Sequence, residues 1–212
     1  AIIDDEDTML VSRNYKAFQG LSHITDELIR AFGHCEKSVV DGELICVSAK
    51  NKPMDRKTSN GIINKCVKGT ASAAELESIR FQVWDLIPAD DYFYEGVYNV
   101  PMIDRYEALQ ASIIGCRYIH IIDSTIVNSI GEARKVFQQY VDQGLEGILL
   151  KNLDAPWENK RSNNQVKFKV EITSDLIVRG VYEGKSESKR EGKMGGVVCE
   201  TADGLLCVNV GS

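Results

Sequence analysis

The chain is 212 residues long, 43% hydrophobic and 26% charged, with a formal net charge of −6. That length can bury a sizeable core, and the composition is that of an ordinary globular protein rather than a disordered polymer. No apolar run approaches the roughly 20 residues that would span a bilayer, the first residues show no basic-then-apolar pattern, and the acidic balance argues against indiscriminate nucleic-acid binding.

The chain opens with Ala1-Ile2-Ile3, then four acids at 4–7, then Thr8-Met9-Leu10-Val11. This is the pattern of a hairpin entered partway along its first strand, and without an initiator Met the expectation is a chain that has been cut. Ile24, Leu28, Ile29 and Phe32 recur at helical spacing and predict an amphipathic helix over 22–33, stopped by Gly33. A strand is predicted over 39–47. Residues 50–70 are polar, basic and poor in large apolar groups, which predicts a loop or insertion. Within it Lys50, Lys52, Arg56, Lys57, Lys65 and Lys68 face only Asp55, so the local charge is positive although the total is negative.

Ser72-x-x-Glu75 and Ser129-x-x-Glu132 read as capping boxes that open helices. The second of these helices runs through Val136, Phe137, Tyr140 and Val141 to Gly144. Another follows Pro101 and carries Tyr106, Leu109 and Ile113. Strands are predicted at 81–86, 118–122, 147–150 and 166–170. From Asp175 the pattern changes to short β runs at 176–181, 195–200 and 205–210, separated by a charged loop at 185–193 and an Asp203-Gly204 turn. This predicts the start of a small β-barrel with too few strands to close. The six cysteines (Cys35, Cys46, Cys66, Cys116, Cys199, Cys207) form no Cys-x-x-Cys pair and mostly lie in apolar runs. Buried free thiols are expected rather than disulfides or zinc. The three histidines (His23, His34, His120) are too dispersed for a His-based metal site.

The residues that can carry chemistry cluster in short segments. In an extended strand side chains alternate, so Lys167 and Lys169 share one face of Gln165-Val166-Lys167-Phe168-Lys169 while Phe168 takes the other. Two ammonium groups side by side repel unless an anion such as a polyphosphate lies between them. Glu146, in the neighbouring strand segment Leu145-Glu146-Gly147-Ile148-Leu149-Leu150-Lys151, is the acid a phosphate-bound Mg²⁺ would need. Lys151 has the opposite strand parity from Glu146, so facing the same ligand requires a strand end or a bulge. In Val39-Val40-Asp41-Gly42-Glu43-Leu44, Asp41 and Glu43 share a face opposite Val40 and Leu44; Asp-Gly also marks hairpin turns. Phe81 and Trp84 of Phe81-Gln82-Val83-Trp84-Asp85 lie on opposite strand faces, where each is either a core residue or a platform for a base. Arg13 of Ser12-Arg13-Asn14 can fork onto a phosphate.

In order, Ser-Arg-Asn, Asp-Gly-Glu, Phe-x-x-Trp-Asp, Glu-Gly-Ile-x-x-Lys and Lys-Phe-Lys, followed by a β-rich segment, resemble the covalent nucleotidyltransferases and among them the ATP-dependent DNA ligases, especially those of T-even bacteriophage type. The likeness extends through Thr58-Ser59-Asn60-Gly61, Asn64-Lys65, Lys68-Gly69-Thr70, Asp142 to Gly147, Trp157-Glu158-Asn159 and Val208 to Ser212, covering essentially the whole chain.

The resemblance implies an α+β fold: a nucleotidyltransferase (adenylation) domain of antiparallel sheets with helices at 1–171, truncated at its start, and a partial OB-fold domain at 172–212. It implies ATP and Mg²⁺ as cofactors, nicked duplex DNA as partner, no membrane, a monomer, a cytoplasmic location (the host cytoplasm for a phage protein), and a part in DNA replication, repair and recombination. Residue roles follow by motif. Arg13 would contact the nucleotide ribose or the nick phosphate, Glu43 a ribose hydroxyl or the metal, and Phe81 the adenine. Glu146 would help hold the metal, Lys167 and Lys169 would contact the nucleotide phosphates as catalytic groups, and Lys151 would bind nucleotide. The basic stretch at 50–68 is expected, from its charge, to face DNA.

The family nucleophile is the lysine of a Lys-x-Asp-Gly motif upstream of Ser-Arg-Asn. Asp-Gly occurs here only at 41–42 and 203–204, with Val39 and Thr201 where that lysine would stand. The expectation is a central ligase fragment that has the walls of the site and lacks the nucleophile. In the complete protein a lysine would take AMP from ATP, pass it to the 5′-phosphate of a nick, and the 3′-hydroxyl would displace it. An RNA ligase or capping-type nucleotidyltransferase, and a non-catalytic nucleic-acid-binding remnant, are the competing readings.

Overall fold

Ile79, Phe81, Val83, Asp85 and Ile87 bury every second side chain of one 10-residue strand, and the first part of the molecule is assembled around it. The structure is a computed structural model that describes residues 1–4, 7–33, 37–170, 175–186 and 190–211. His34, Cys35, two of the acids at 4–7, part of the charged loop at 185–193, Ser212 and the expected boundary at 171/172 lie outside the described residues. The fold is α+β, and the chain forms two compact units, Ala1–Phe168 and Lys169–Ser212.

In the first unit β1 (Ile2–Ile3), α1 (Ser22–Phe32), β2 (Ser38–Cys46), α2 (Arg56–Lys68), α3 (Ala73–Glu77) and β3 (Ile79–Pro88) come first. A π-helical turn (Asp91–Glu95) then precedes β4 (Val97–Tyr98), α4 (Met102–Ser112), β5 (Ile119–Ile121), α5 (Ile130–Asp142), β6 (Gly147–Lys151), β7 (Trp157–Glu158) and β8 (Gln165–Lys169). The main sheet has the order β1-β2-β3-β5. β1 and β2 pair antiparallel, as do β2 and β3 from Ser38↔Pro88 to Cys46↔Ile79. β5 joins β3 in parallel, with Phe81 opposite Ile119, after a crossover through α4. The expected opening hairpin is present as the Ile2↔Met9 bridge.

α1 packs on the sheet through fully buried Ile24, Leu28 and Phe32. Ile29 departs from the expectation: it is 38% exposed, and the inward position goes instead to Glu27. The Glu27 carboxylate accepts backbone N–H groups of Arg117, Tyr118 and Ile119 at 2.7, 2.8 and 3.2 Å, so its charge satisfies the orphan donors that lead into β5. The Ser72/Glu75 capping box is complete. The second is half made: Ser129 accepts from Glu132 N, but the Glu132 carboxylate turns to the N–H of Asn128.

The stretch expected to be a loop or insertion contains α2. Ser59 and Cys66 are buried and Ile62 and Ile63 half-buried, the i, i+3, i+4, i+7 stripe of an amphipathic helix. Asp55 caps its start by accepting from Thr58 N and Oγ1 at 3.0 and 2.6 Å, and Gly69 closes it at φ 66°. The thiols of Cys46 and Cys66 are buried as expected, but Cys207 is exposed.

The second unit is a three-stranded antiparallel sheet of β9 (Ile177–Glu183), β10 (Met194–Glu200) and β11 (Cys207–Gly211), in the order β11-β10-β9. Gly204 at φ 71° makes the Asp203-Gly204 turn, and Asp203 Oδ1 accepts from Leu205 N at 3.1 Å. Among the described residues these strands do not close into a barrel.

One buried ion pair ties the sheet to the segments around it. Asp85 and Arg105 are each 4% exposed, and Arg105 grips the carboxylate through Nε and Nη2 at 2.7 and 3.0 Å. Its Nη1 also donates to the carbonyls of Val100 and Ala155, so strand, helix and two loops converge on one guanidinium. Removing one partner strands a buried charge, which costs about 3–5 kcal/mol. Arg105→Met is therefore expected to lower the urea-unfolding free energy by about that amount, whereas Asp85→Leu with Arg105→Met together should recover much of the loss.

Candidate active site

A cavity of about 510 Å³ opens in the first unit between the N-terminal hairpin, β2, β3 and α2. Its size is that of a pocket that encloses a small ligand. Arg13 and Tyr15 come from the turn between the bridged residues Val11 and Ala17, Asp41 and Glu43 from β2, Phe81 from β3, Asn60 from α2, and Tyr92 from the π-helical turn. Three of the residues singled out in the sequence, Arg13, Glu43 and Phe81, thus line one cavity. Among the described residues Arg13 and Glu43 make no hydrogen bond or ion pair, so a guanidinium and a carboxylate are both available to a ligand.

Local backbone geometry sets this lining. Asp41-Gly42 is not a turn: β2 runs through it, and β3 carries the irregularity. Asp41 pairs with Asp85 and Gly42 with Val83, which leaves Trp84 as the extra residue of a β-bulge. The bulge brings Trp84 Nε1 to Asp41 Oδ2 at 3.2 Å, while Oδ1 accepts from Gly42 N at 3.0 Å, so Asp41 is held in place and Glu43 beside it is not. A Cβ at Gly42 would stand 2.3 Å from the Gln82 carbonyl and 2.7 Å from Phe81 Cε2, so the close approach requires glycine. Phe81 is 3% exposed. Trp84 is half-buried and does not line the cavity.

Tyr15 and Tyr92 had no signal in the sequence. Tyr15 adopts φ 55°, a conformation costing an L-residue about 1–2 kcal/mol, in a turn closed by Tyr15 N to Ser12 O and Lys16 N to Ser12 Oγ. Tyr92 stacks on Trp157 at 5.1 Å and 26°. Burial pushes its hydroxyl above the usual phenol range, and Tyr15 and Asp41 nearby act in the same direction.

The basic residues at the end of the unit are placed differently. β8 pairs with β6, and the expected alternation holds: Phe168 is half-buried, its ring edge-on to Phe137 of α5 at 6.1 Å, while Lys167 is exposed and makes no contact with a described partner. Lys169, exposed at the end of the same strand, begins the second unit. Glu146 lies one residue before β6 rather than within it, and forms an ion pair with Arg56 of α2 instead of lining the cavity. Lys151 is the last residue of β6 and lines a small separate pocket with Asp85, Arg105 and Asn164. Burial lowers its pKa, and Arg105 adds to this, whereas Asp85 and the cavity residue Asp41 favour the charged form.

The donor set fits a phosphorylated nucleotide with a divalent cation. Among the described residues no three His, Cys, Asp or Glu side chains gather as a self-sufficient metal site. Mg²⁺ instead takes one or two carboxylates together with substrate phosphates and water, and Glu43 and Asp41 could provide these. Tyr15, Tyr92 and Phe81 supply the aromatic surface.

A family model described as "ATP dependent DNA ligase domain" matches residues 1–169. The chain belongs to the ATP-dependent DNA ligase family. It is 33% identical to the DNA ligase of Enterobacteria phage T4 over 236 aligned residues, which cover 98% of this chain and 48% of the phage protein. The DNA ligase of Enterobacteria phage T6 matches to the same extent, so the chain spans about half the length of these relatives. Among solved structures, the ATP-dependent DNA ligase from bacteriophage T7 in complex with ATP superposes at TM-score 0.65 and 17% identity, over 99% of this chain and 70% of that one. A structure titled Pmar-Lig_PreS3 superposes at TM-score 0.81 and 22% identity, over 100% of this chain and 49% of that one. These two likenesses bear on the fold.

Gly42→Ala puts a methyl against backbone and Phe81, and overpacking of this kind costs about 1–3 kcal/mol. It should lower the melting temperature and weaken ATP binding measured by calorimetry, while Glu43→Gln should weaken Mg²⁺-dependent ATP binding with the melting temperature unchanged.

Proposed function

We propose that the chain is the central part of an ATP-dependent DNA ligase that seals nicks in duplex DNA through enzyme–AMP and DNA–adenylate intermediates. The observation that carries this reading is the convergence of Arg13, Glu43 and Phe81 on one cavity, in a chain that belongs to the ligase family. Within it Arg13 contacts the ribose or the nick phosphate, Glu43 a ribose hydroxyl or Mg²⁺, and Phe81 the adenine. Lys167 and Lys169 neutralise charge that develops on the phosphates, and Lys151 binds nucleotide from the end of β6. Glu146 assists the metal after release from Arg56. ATP and Mg²⁺ are the cofactors, and Mg²⁺ supplies Lewis-acid stabilisation of phosphoryl charge. The described residues contain no helix long and apolar enough to cross a membrane. The reading is of a monomer that acts on DNA in the cytoplasm during replication, repair and recombination. The domain assignment follows the same reading: 1–171 as adenylation domain and 172–212 as partial OB-fold.

The nucleophile of such a ligase is a lysine in Lys-x-Asp-Gly, a motif the 212 residues do not contain. Intact-protein mass after incubation with ATP and Mg²⁺ tests the reading. The chain alone should gain nothing, and a version extended upstream through that motif should gain one AMP. A stoichiometric adduct on the 212-residue chain, or none on a folded extended form, contradicts it.

In the extended form Lys169→Ala should reduce adduct formation by 100-fold or more if the ammonium neutralises phosphate charge, an effect on the order of 3 kcal/mol. Near-normal adduct formation would remove Lys169 from the catalytic set.

A further inference from the structure

The π-helical turn Asp91–Glu95 holds aromatic rings and carboxylates together on its outer side. Tyr94 is 82% exposed and Phe93 42%, and Asp90 and Glu95 beside them are exposed as well. Asp90 enters the turn in helical geometry, at φ −65° and ψ −45°. The i to i+5 repeat of a π-helix brings Tyr94 and Glu95, the fourth and fifth residues after Asp90, back over it. The carboxylates of Asp90, Asp91 and Glu95 make no hydrogen bond or ion pair among the described residues.

The turn is held from its inner side, without help from Tyr94. Tyr92 stacks on Trp157 at 5.1 Å and meets the Phe93 ring edge-on at 4.9 Å. Gly96, at φ 71°, closes the turn by donating its N–H to Asp91 O at 2.7 Å. Its own carbonyl accepts from Asn159 N at 2.9 Å, where β4 pairs with β7. A rigid mount therefore carries a tyrosine that makes no ring contact or hydrogen bond among the described residues. The surroundings of that ring are acidic, and they repel a phosphodiester backbone while attracting cationic groups.

We propose that the outer side of this turn is a docking surface for a basic protein segment that presents arginine or lysine side chains. Asp90 and Glu95 pair with the cationic heads, and the face of Tyr94 takes a cation over its ring. The aliphatic stems of the same side chains cover Phe93. Charge complementarity selects this occupant, because a purely apolar partner would bury three carboxylates without counter-charge. Tyr92, on the inner side of the turn, lines the cavity, so the segment docks on the outside of a cavity wall. This surface does not depend on the ligase reading and names a partner of a different class from DNA.

The test is fluorescence anisotropy of a labelled oligoarginine peptide with the 212-residue chain at low salt. The parent is compared with Asp90→Asn/Glu95→Gln and with a control of equal charge on exposed acids of α1 and α4, Asp26→Asn/Glu107→Gln. Tyr94→Ser and Tyr94→Phe complete the set. The turn pair should weaken binding about fivefold or more and the control pair by less than about twofold. Tyr94→Ser should weaken it about threefold, whereas Tyr94→Phe keeps the ring face and the parent's affinity. Melting temperatures should stay level, because every substituted side chain is exposed. Equal effects of the two charge pairs, parent-like binding by Tyr94→Ser, or failure of the parent to bind would each overturn the docking surface. Sedimentation that shows self-association of the parent, abolished by Asp90→Asn/Glu95→Gln, would also overturn it by assigning the turn to a second copy of this chain.

Discussion

The antiparallel ladder between β2 and β3 is the constraint on which the rest depends. Nine pairs run from Ser38↔Pro88 to Cys46↔Ile79, with one extra residue on β3 at Trp84. Before the bulge the inward face of β3 is apolar, with Ile79, Phe81 and Val83 against the core; beyond it the same face carries Asp85. A carboxylate there is intolerable unless it is paired. Arg105 pairs it and, in doing so, takes hold of the Val100 and Ala155 carbonyls. On the other strand the same bulge aims Trp84 at Asp41 and presses Phe81 against Gly42. Cavity lining and scaffold are two consequences of a single register shift.

That arrangement explains how the two acids of β2 differ despite equal spacing from the core. Asp41 is claimed by an indole N–H and by the Gly42 N–H, a fixed acceptor that helps set the electrostatics felt by Lys151. Glu43 is claimed by no described residue and is free to coordinate. Lys151 sits at the end of β6, close enough to Asp41 and Asp85 for both to act on its charge, yet it lines a different pocket from Glu43.

Much of this was legible in the residues because strand alternation has a short period. Val40 and Leu44 against Asp41 and Glu43, and Phe168 against Lys167, are written in consecutive letters and need no knowledge of the rest of the fold. α2 was missed for a physical reason. Its inward stripe is Ser59, Ile62, Ile63 and Cys66, two of them small, and Gly61 with four Asn, Ser and Thr neighbours lowers helix propensity. The spacing and the Asp55/Thr58 cap were present in the sequence, but the density of basic residues outweighed them. Arg105 looked like any helical arginine because its partners lie 20 and 50 residues away in sequence. Tyr92, in a π-helical turn, follows neither period. Glu146 was placed on a strand and lies just before one, and its pairing with Arg56 joins segments 90 residues apart, which no local pattern encodes.

The Arg56–Glu146 pair bears on how α2 and the segment entering β6 work together. Both side chains are largely exposed, 76% and 60%, so solvent screens the pair and its contribution to stability is small. An interaction that weak can be exchanged: a multivalent anion near α2 would compete for Arg56, and a divalent cation near β6 would compete for Glu146.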